Sequence, residues 1–184
     1  FWMKRLAAGL VKGLAGLDLT RLRRGFRILN YRTFFDGVAK RHVRKAIGYR
    51  GPNSLTLSEA IAEAALPAPL FLKMDIEGWE YRILPQLIDL RDRFVGLTIE
   101  FHDIDLHEQR IVDFIEAISD RFLLVHFHAN SHTTIGPDGM ALVFEMTFIA
   151  RELLCPGENL TALTLPVVGL DAPNIPRQRE AVVS

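Results

Sequence analysis

The spacing of apolar positions changes along the chain, and each change marks an element. Leu6, Leu10, Leu14 and Leu17 recur at four, four and three residues with Val11 beside them, predicting an amphipathic helix with Lys4, Arg5 and Lys12 mostly off its apolar face. Gly9, Gly13 and Gly16 each cost about 1 kcal/mol relative to alanine in a helix interior, so this helix is expected to dock on something. From 21 to 50 the pattern is irregular. Thr56-Leu57-Ser58-Glu59 is a capping-box pattern; it opens a short helix with Leu57, Ile61 and Ala64/Ala65 on one side, ended by Leu66-Pro67-Ala68-Pro69.

The run Leu70 to Ile76, fenced by Pro69 and Gly78, is too short for a typical helix and predicts a buried strand. A helical stretch follows with Trp79, Ile83, Leu84 and Leu87 facing inward and a kink or break near Pro85. Val95 to His102 reads as a second strand. Asp105 and Glu108 are expected to cap a helix whose Ile111, Ile115, Ile118 and Phe122 recur at four, three and four. Leu123 to His128 and Met140 to Ile149 read as two further strands, separated by a polar stretch containing the turn signal Gly136-Pro137-Asp138-Gly139. This order predicts an α/β fold with parallel strands, a C-terminal antiparallel hairpin and helices on both faces of the sheet. Three parts are expected: a basic segment over 1–50, the α/β domain over 51–152, and a loose tail over 153–184 with Pro156, Pro166, Pro173 and Pro176.

Composition narrows the class. With 184 residues, 49% of them hydrophobic, the chain suits a globular domain and not a disordered, collagen-like or disulfide-stapled one. The single cysteine, Cys155, cannot form an internal disulfide, which favours a reducing compartment. The net charge of zero hides a division. Residues 1–50 carry 13 Lys/Arg against Asp18 and Asp36 (13 − 2 = +11), and residues 51–184 carry 9 against 20 (9 − 20 = −11). No apolar run approaches the ~20 residues of a membrane span, and glycines and Lys12 interrupt any signal-peptide core, so a cytoplasmic protein is expected. Phe26, Tyr31, Phe34, Phe35 and Tyr49 stand among arginines, but no nucleic-acid module organises them, and a nucleic-acid partner is not expected.

In open α/β sheets, ligands sit outside the carboxyl ends of the strands. Three predicted strands end in groups with chemistry: Asp75 and Glu77; Glu100, His102 and Asp103; His126, His128 and Asn130. If the strands are parallel neighbours these groups converge on one edge, where they would act as a general base, hold a polar ligand or bind a divalent metal. Each also has a plainer reading. His126 and His128 share a strand face, and either suits a hydrogen-bonded core histidine. Asp103 or Asp105 suits a helix cap, and Glu77-Gly78 suits a strand-to-helix turn. Glu80 is expected at the surface.

The segment Lys73-Met74-Asp75-Ile76-Glu77-Gly78-Trp79-Glu80 resembles the K-x-D-x-E-G-x-E motif of the FkbM-type methyltransferases, enzymes that use S-adenosylmethionine and mostly methylate hydroxyl oxygens. Ser54-Leu55-Thr56-Leu57, Ile99-Glu100-Phe101-His102-Asp103, His126-Phe127-His128-Ala129-Asn130 and Phe144-Glu145-Met146-Thr147-Phe148 extend the resemblance over residues 54–150. It implies a partial Rossmann-like methyltransferase sheet in which the strand ending at Asp75 is the fourth of seven and the hairpin is its antiparallel end. It also implies roles: Asp75, Glu77, His102 and His126 as catalytic candidates, Asp75 and Gly78 at the cofactor, and Glu100, His128 and Asn130 at the substrate. The acceptor would be a hydroxyl of a small molecule, glycan or lipid. Such enzymes also carry a glycine-rich turn of the D-x-G-x-N-x-G kind near their start, and nothing before Ser54 matches it. A truncated chain with weak or absent S-adenosylmethionine binding is therefore expected. Two other classes compete. One is a metal-dependent hydrolase using Asp75, Glu77, His102, His126 and His128. The other is a non-catalytic module whose basic N-terminal helix meets an acidic partner or a membrane surface.

Overall fold

The computed structural model describes residues 42–130, 134–136, 139–154, 167 and 171. The predicted N-terminal amphipathic helix, the aromatic residues from Phe26 to Phe35, Cys155 and nearly all of the Pro-containing tail lie outside the described residues. The chain divides into two compact units, Phe1–Lys45 and Ala46–Ser184, and every described helix and strand belongs to the second.

The unit opens with two short parallel strands, β1 (Ala46–Ile47) and β2 (Ser54–Leu55), which the sequence pattern did not predict as a pair. Helix α1 (Leu57–Ala64) begins at the capping box read from the sequence. The Glu59 amide donates to Thr56 Oγ1 at 3.2 Å, and the Thr56 amide donates to Glu59 Oε2 at 2.9 Å. That backbone bond is the main reason the Glu59 carboxyl sits below its usual pKa. The chain then runs through β3 (Leu70–Met74), α2 (Glu80–Asp89), β4 (Phe94–Phe101), α3 (Ile104–Ile118), β5 (Phe122–Ala129) and β6 (Phe144–Ala150).

Strands β3 to β6 form one sheet in the order β3-β4-β6-β5. β3 and β4 are parallel, and β6 runs antiparallel to both β4 and β5. The predicted parallel sheet ending in an antiparallel hairpin is therefore present, with β6 inserted between β4 and β5. The turn between β5 and β6 includes a bond from the Gly139 amide to the Gly136 carbonyl, with Gly139 at φ +85°.

One face of the sheet makes the core. Leu97, Ile99 and Phe101 stand opposite Phe148, Met146 and Phe144, all buried. Phe114 of α3 meets Phe101 and Phe148 at ring-centroid distances of 6.3 and 6.1 Å, and Tyr81 of α2 meets Phe101 at 6.0 Å. Helices α2 and α3 thus share this face. On the other face, Lys73, Thr98, Thr147 and His126 form one cross-strand row, and Glu100, Glu145 and His128 the next.

Several local expectations are corrected. β3 is not fully buried: it lies at the edge of the described sheet, and its alternation leaves Phe71 58% exposed. Trp79 stands just before α2 and is 40% exposed. α2 continues through Pro85, because Ile83, Leu84 and Leu87 on its inner side are buried and their burial offsets a proline penalty of about 3 kcal/mol. In α3 the buried stripe is Ile104, Ile111, Phe114 and Ile118, while Phe122 belongs to β5. No helix among the described residues is long and apolar enough to cross a membrane.

Candidate active site

The site lies where β3 and β4 end side by side. Met74, the last residue of β3, pairs with Ile99, so the two strands deliver Asp75 to Gly78 and His102 to Asp103 to the same edge. The backbone is strained there. Glu77 has φ +57° and Asp103 φ +50°, in the left-handed region that costs a residue with a side chain roughly 1–2 kcal/mol, and Gly78 between them has φ +93°. A Cβ added at Gly78 would come within 3.6 Å of Asp103 Oδ2, so the two turns lie against each other. Asp103 occupies the position before α3, yet its side chain makes no capping hydrogen bond, and Asp105 lies inside the first turn. The helix start is held by backbone instead, with the Ile104 amide donating to the Leu142 carbonyl at 3.2 Å.

The centre of the site is a residue the sequence pattern places at the surface. Glu80 is 0% exposed. The Ile76 amide donates to its Oε1 at 3.0 Å, and the Gly78 amide donates to Oε2 at 3.0 Å and to Oε1 at 3.3 Å. His102 Nδ1 lies 3.2 Å from the same Oε1. The carboxylate curls back from the first turn of α2 to bind the turn that precedes the helix, and the favourable N-terminal end of the helix dipole adds to its stabilisation. No local pattern marks this burial, although the spacing of Glu80 two residues after a Gly-containing turn is compatible with it.

His102 is held on both sides. Its Nε2 lies 3.7 Å from Oε2 of Glu77, whose side chain is 87% exposed, so this nitrogen faces the open edge. Its carbonyl accepts a 2.5 Å hydrogen bond from the Tyr81 hydroxyl. Burial and the nearby Glu80 and Asp103 charges push the Tyr81 phenol well above its usual pKa, so it remains a neutral donor. The Tyr81 ring also packs against His107, with ring centroids 3.9 Å apart and planes tilted by 43°. Asp75 is exposed just beyond β3.

The β5 end does not join this cluster. β6 separates β5 from β4, so His126 and His128 stand two strands away from the residues of β4. His126 Nε2 lies 2.9 Å from Oδ1 of Asp171, which is 3% exposed; the nitrogen is buried and makes no hydrogen bond, so the contact is an off-axis electrostatic one. Asp171 Oδ2 accepts from the Val167 amide at 2.6 Å. Asn130 Nδ2 donates to Glu100 Oε1 at 2.9 Å, and Lys73 Nζ donates to Glu145 Oε2 at 2.7 Å. Among the described residues, no three His, Cys, Asp or Glu side chains are gathered as ligands for a metal ion, and the five residues considered for a hydrolase are divided between the two ends.

Beside the site, Arg82 lies 4.4 Å over the Trp79 ring and Tyr49 packs at 5.9 Å from it. Gln86, which no sequence signal singled out, ties β1 to α1: its Nε2 donates to the Gly48 carbonyl at 2.8 Å and its Oε1 accepts from the Leu57 amide at 2.7 Å.

No curated protein and no solved structure matches the chain. A family model does, that of the methyltransferase FkbM domain, over residues 6–128. The match takes in the basic segment that the motif resemblance left out, and it stops before β6. It spans more than half of the 184 residues, and it contains the Asp75–Glu80 turn and His102 around which the site is built; the chain belongs to the FkbM methyltransferase domain family.

Proposed function

We propose that this protein transfers the methyl group of S-adenosylmethionine to a hydroxyl oxygen of a small molecule, glycan or lipid, at the joined ends of β3 and β4. The observation that carries the reading is the placement of His102 Nε2 at the open edge, against the exposed carboxylate of Glu77 and beside the left-handed turn of Gly78.

The residues suit the cofactor. Gly78 lacks the Cβ that would project toward Asp103, which allows a ligand close to backbone, and Asp75, Glu77 and Asp103 offer negative charge to a cationic ligand with hydroxyls. Asp75 and Gly78 would hold it. When bound, S-adenosylmethionine supplies an electrophilic methyl group on a sulfonium. His102 accepts the proton of the attacking hydroxyl at Nε2, and Glu77 orients that hydroxyl and stabilises the imidazolium that forms. Glu100 of β4 and the Asn130 amide bonded to it would meet other polar groups of the acceptor, whereas His128 stands on β5, beyond β6. His126 is left out of the catalytic set, since its ring is engaged with Asp171.

The expectation of weak cofactor binding rests on the absence of a D-x-G-x-N-x-G turn before Ser54, while the family match reaches back to residue 6. Titration calorimetry of the full chain with S-adenosylmethionine is the direct test. Saturable binding that weakens about tenfold in Asp75→Ala is expected; no binding, or equal binding by the variant, overturns the assignment. With methyl-labelled cofactor and a panel of glycosides and hydroxy-lipids, His102→Ala is expected to lower label transfer by roughly 10²–10⁴.

A further inference from the structure

We infer that Glu80 is a positioning residue that fixes the proton of neutral His102 on Nδ1, so that Nε2 and Glu77 together form a receptor for a donated hydroxyl proton. The functional consequence rests on the reading of His102 as base; the tautomer itself does not.

Both oxygens of Glu80 are surrounded by donors. Oε2 accepts from Gly78, and Oε1 accepts from Ile76 and, at longer range, Gly78. The remaining neighbour of Oε1 is His102 Nδ1 at 3.2 Å. An ionised carboxylate only accepts, so the ring nitrogen beside it carries the hydrogen. In the neutral ring Nε2 is then a bare acceptor, and it faces a second acceptor, Glu77 Oε2, at 3.7 Å. Two acceptors at that distance do not satisfy each other; a hydroxyl donates its single hydrogen to Nε2, and the Glu77 carboxylate then stabilises the imidazolium that proton transfer leaves.

Its burial makes the tautomer robust. At 0% exposure Glu80 has no water to exchange into, and the two backbone amides fix its rotamer, so His102 meets an acceptor in one place. A loop staple alone would need only those amides. The contact to His102 adds an interaction between α2 and the end of β4 that a staple does not require.

Long-range ¹H–¹⁵N correlation of the histidine rings in the full chain, at a pH where His102 is neutral, tests this without any activity. A pyrrole-type shift at Nδ1 and a pyridine-type shift at Nε2 are expected; the opposite pattern overturns the inference even if methyl transfer proceeds. Absence of methyl transfer with the expected pattern overturns the functional reading and supports the tautomer. Glu80→Gln adds the second arm, its folding checked by circular dichroism. A mixed tautomer is expected, with kcat for label transfer lowered on the order of a hundredfold. A folded variant that keeps the wild-type tautomer overturns the inference. If the variant does not fold, the wild-type ring shifts alone decide.

Discussion

The carboxyl ends of β3 and β4 and the carboxyl end of β5 hold the same kinds of side chain, yet they form unlike structures. At the first, a buried Glu80 receives backbone and imidazole donors, two residues with side chains are held left-handed, and one histidine nitrogen faces the opening. At the second, His126 lies against Asp171, and the Asn130 carboxamide reaches back across β6 to Glu100 of β4. The cause is topological. β3 and β4 are direct parallel neighbours, so their ends meet; β6 enters antiparallel between β4 and β5 and spreads the third group away. Strain and an outward-facing imidazole nitrogen distinguish the first place, and paired side chains the second.

Removing Glu80 is the strongest way to break this comparison. Glu80→Ala leaves the part-buried amides of Ile76 and Gly78 and the Nδ1 hydrogen of His102 without their acceptor, and each orphaned donor costs on the order of 1 kcal/mol or more. A loss of roughly 3 kcal/mol or more in urea unfolding is expected. A loss under about 1 kcal/mol would show that the turn does not depend on its buried carboxylate.

How much of this is legible in the sequence differs between the two places. The capping box at Thr56 and Glu59, the apolar runs of β3 and β4 and the glycine-bearing hairpin follow from local rules, and the structure has them. The K-x-D-x-E-G-x-E resemblance covers the turn that the buried Glu80 holds. The burial of Glu80 is not legible, because an acidic residue in a first helical turn satisfies the helix dipole equally well at the surface. Its partners, Ile76, Gly78 and His102, are fixed only when β4 lies beside β3. The separation of His126 and His128 from His102 is equally hidden: strand order depends on where β6 inserts, and alternation along a single strand carries no information about its neighbours. Phe114 replaces Ile115 as the centre of the α3 stripe because a helical face is broader than one periodic series.

Asn130→Ala sharpens the contrast from the other side. It removes one neutral-to-charged side-chain bond to Glu100 on a half-buried surface, while the Asn130 backbone amide keeps its bond to the Val143 carbonyl. A cost of about 1 kcal/mol in the same unfolding measurement is expected, with the His102 ring shifts unmoved. If those shifts move, the two ends are one coupled network, and the division drawn between them fails.

The smallest effect is the most discriminating, because its sign differs from the others. Glu77 is held at φ +57°, which glycine adopts without the clash its Cβ makes, although glycine gives back part of that gain through the greater freedom of the unfolded chain. Glu77→Gly is expected to stabilise the fold by about 0.5 kcal/mol, since the exposed carboxylate contributes little to holding it together. The same substitution removes the second acceptor facing His102 Nε2, so label transfer to a hydroxyl is expected to fall. A variant that is both more stable and less active places the strain of this turn in the service of Glu77's side chain; one that loses stability instead makes the left-handed turn a structural necessity, and removes strain as the feature that sets this end of the sheet apart.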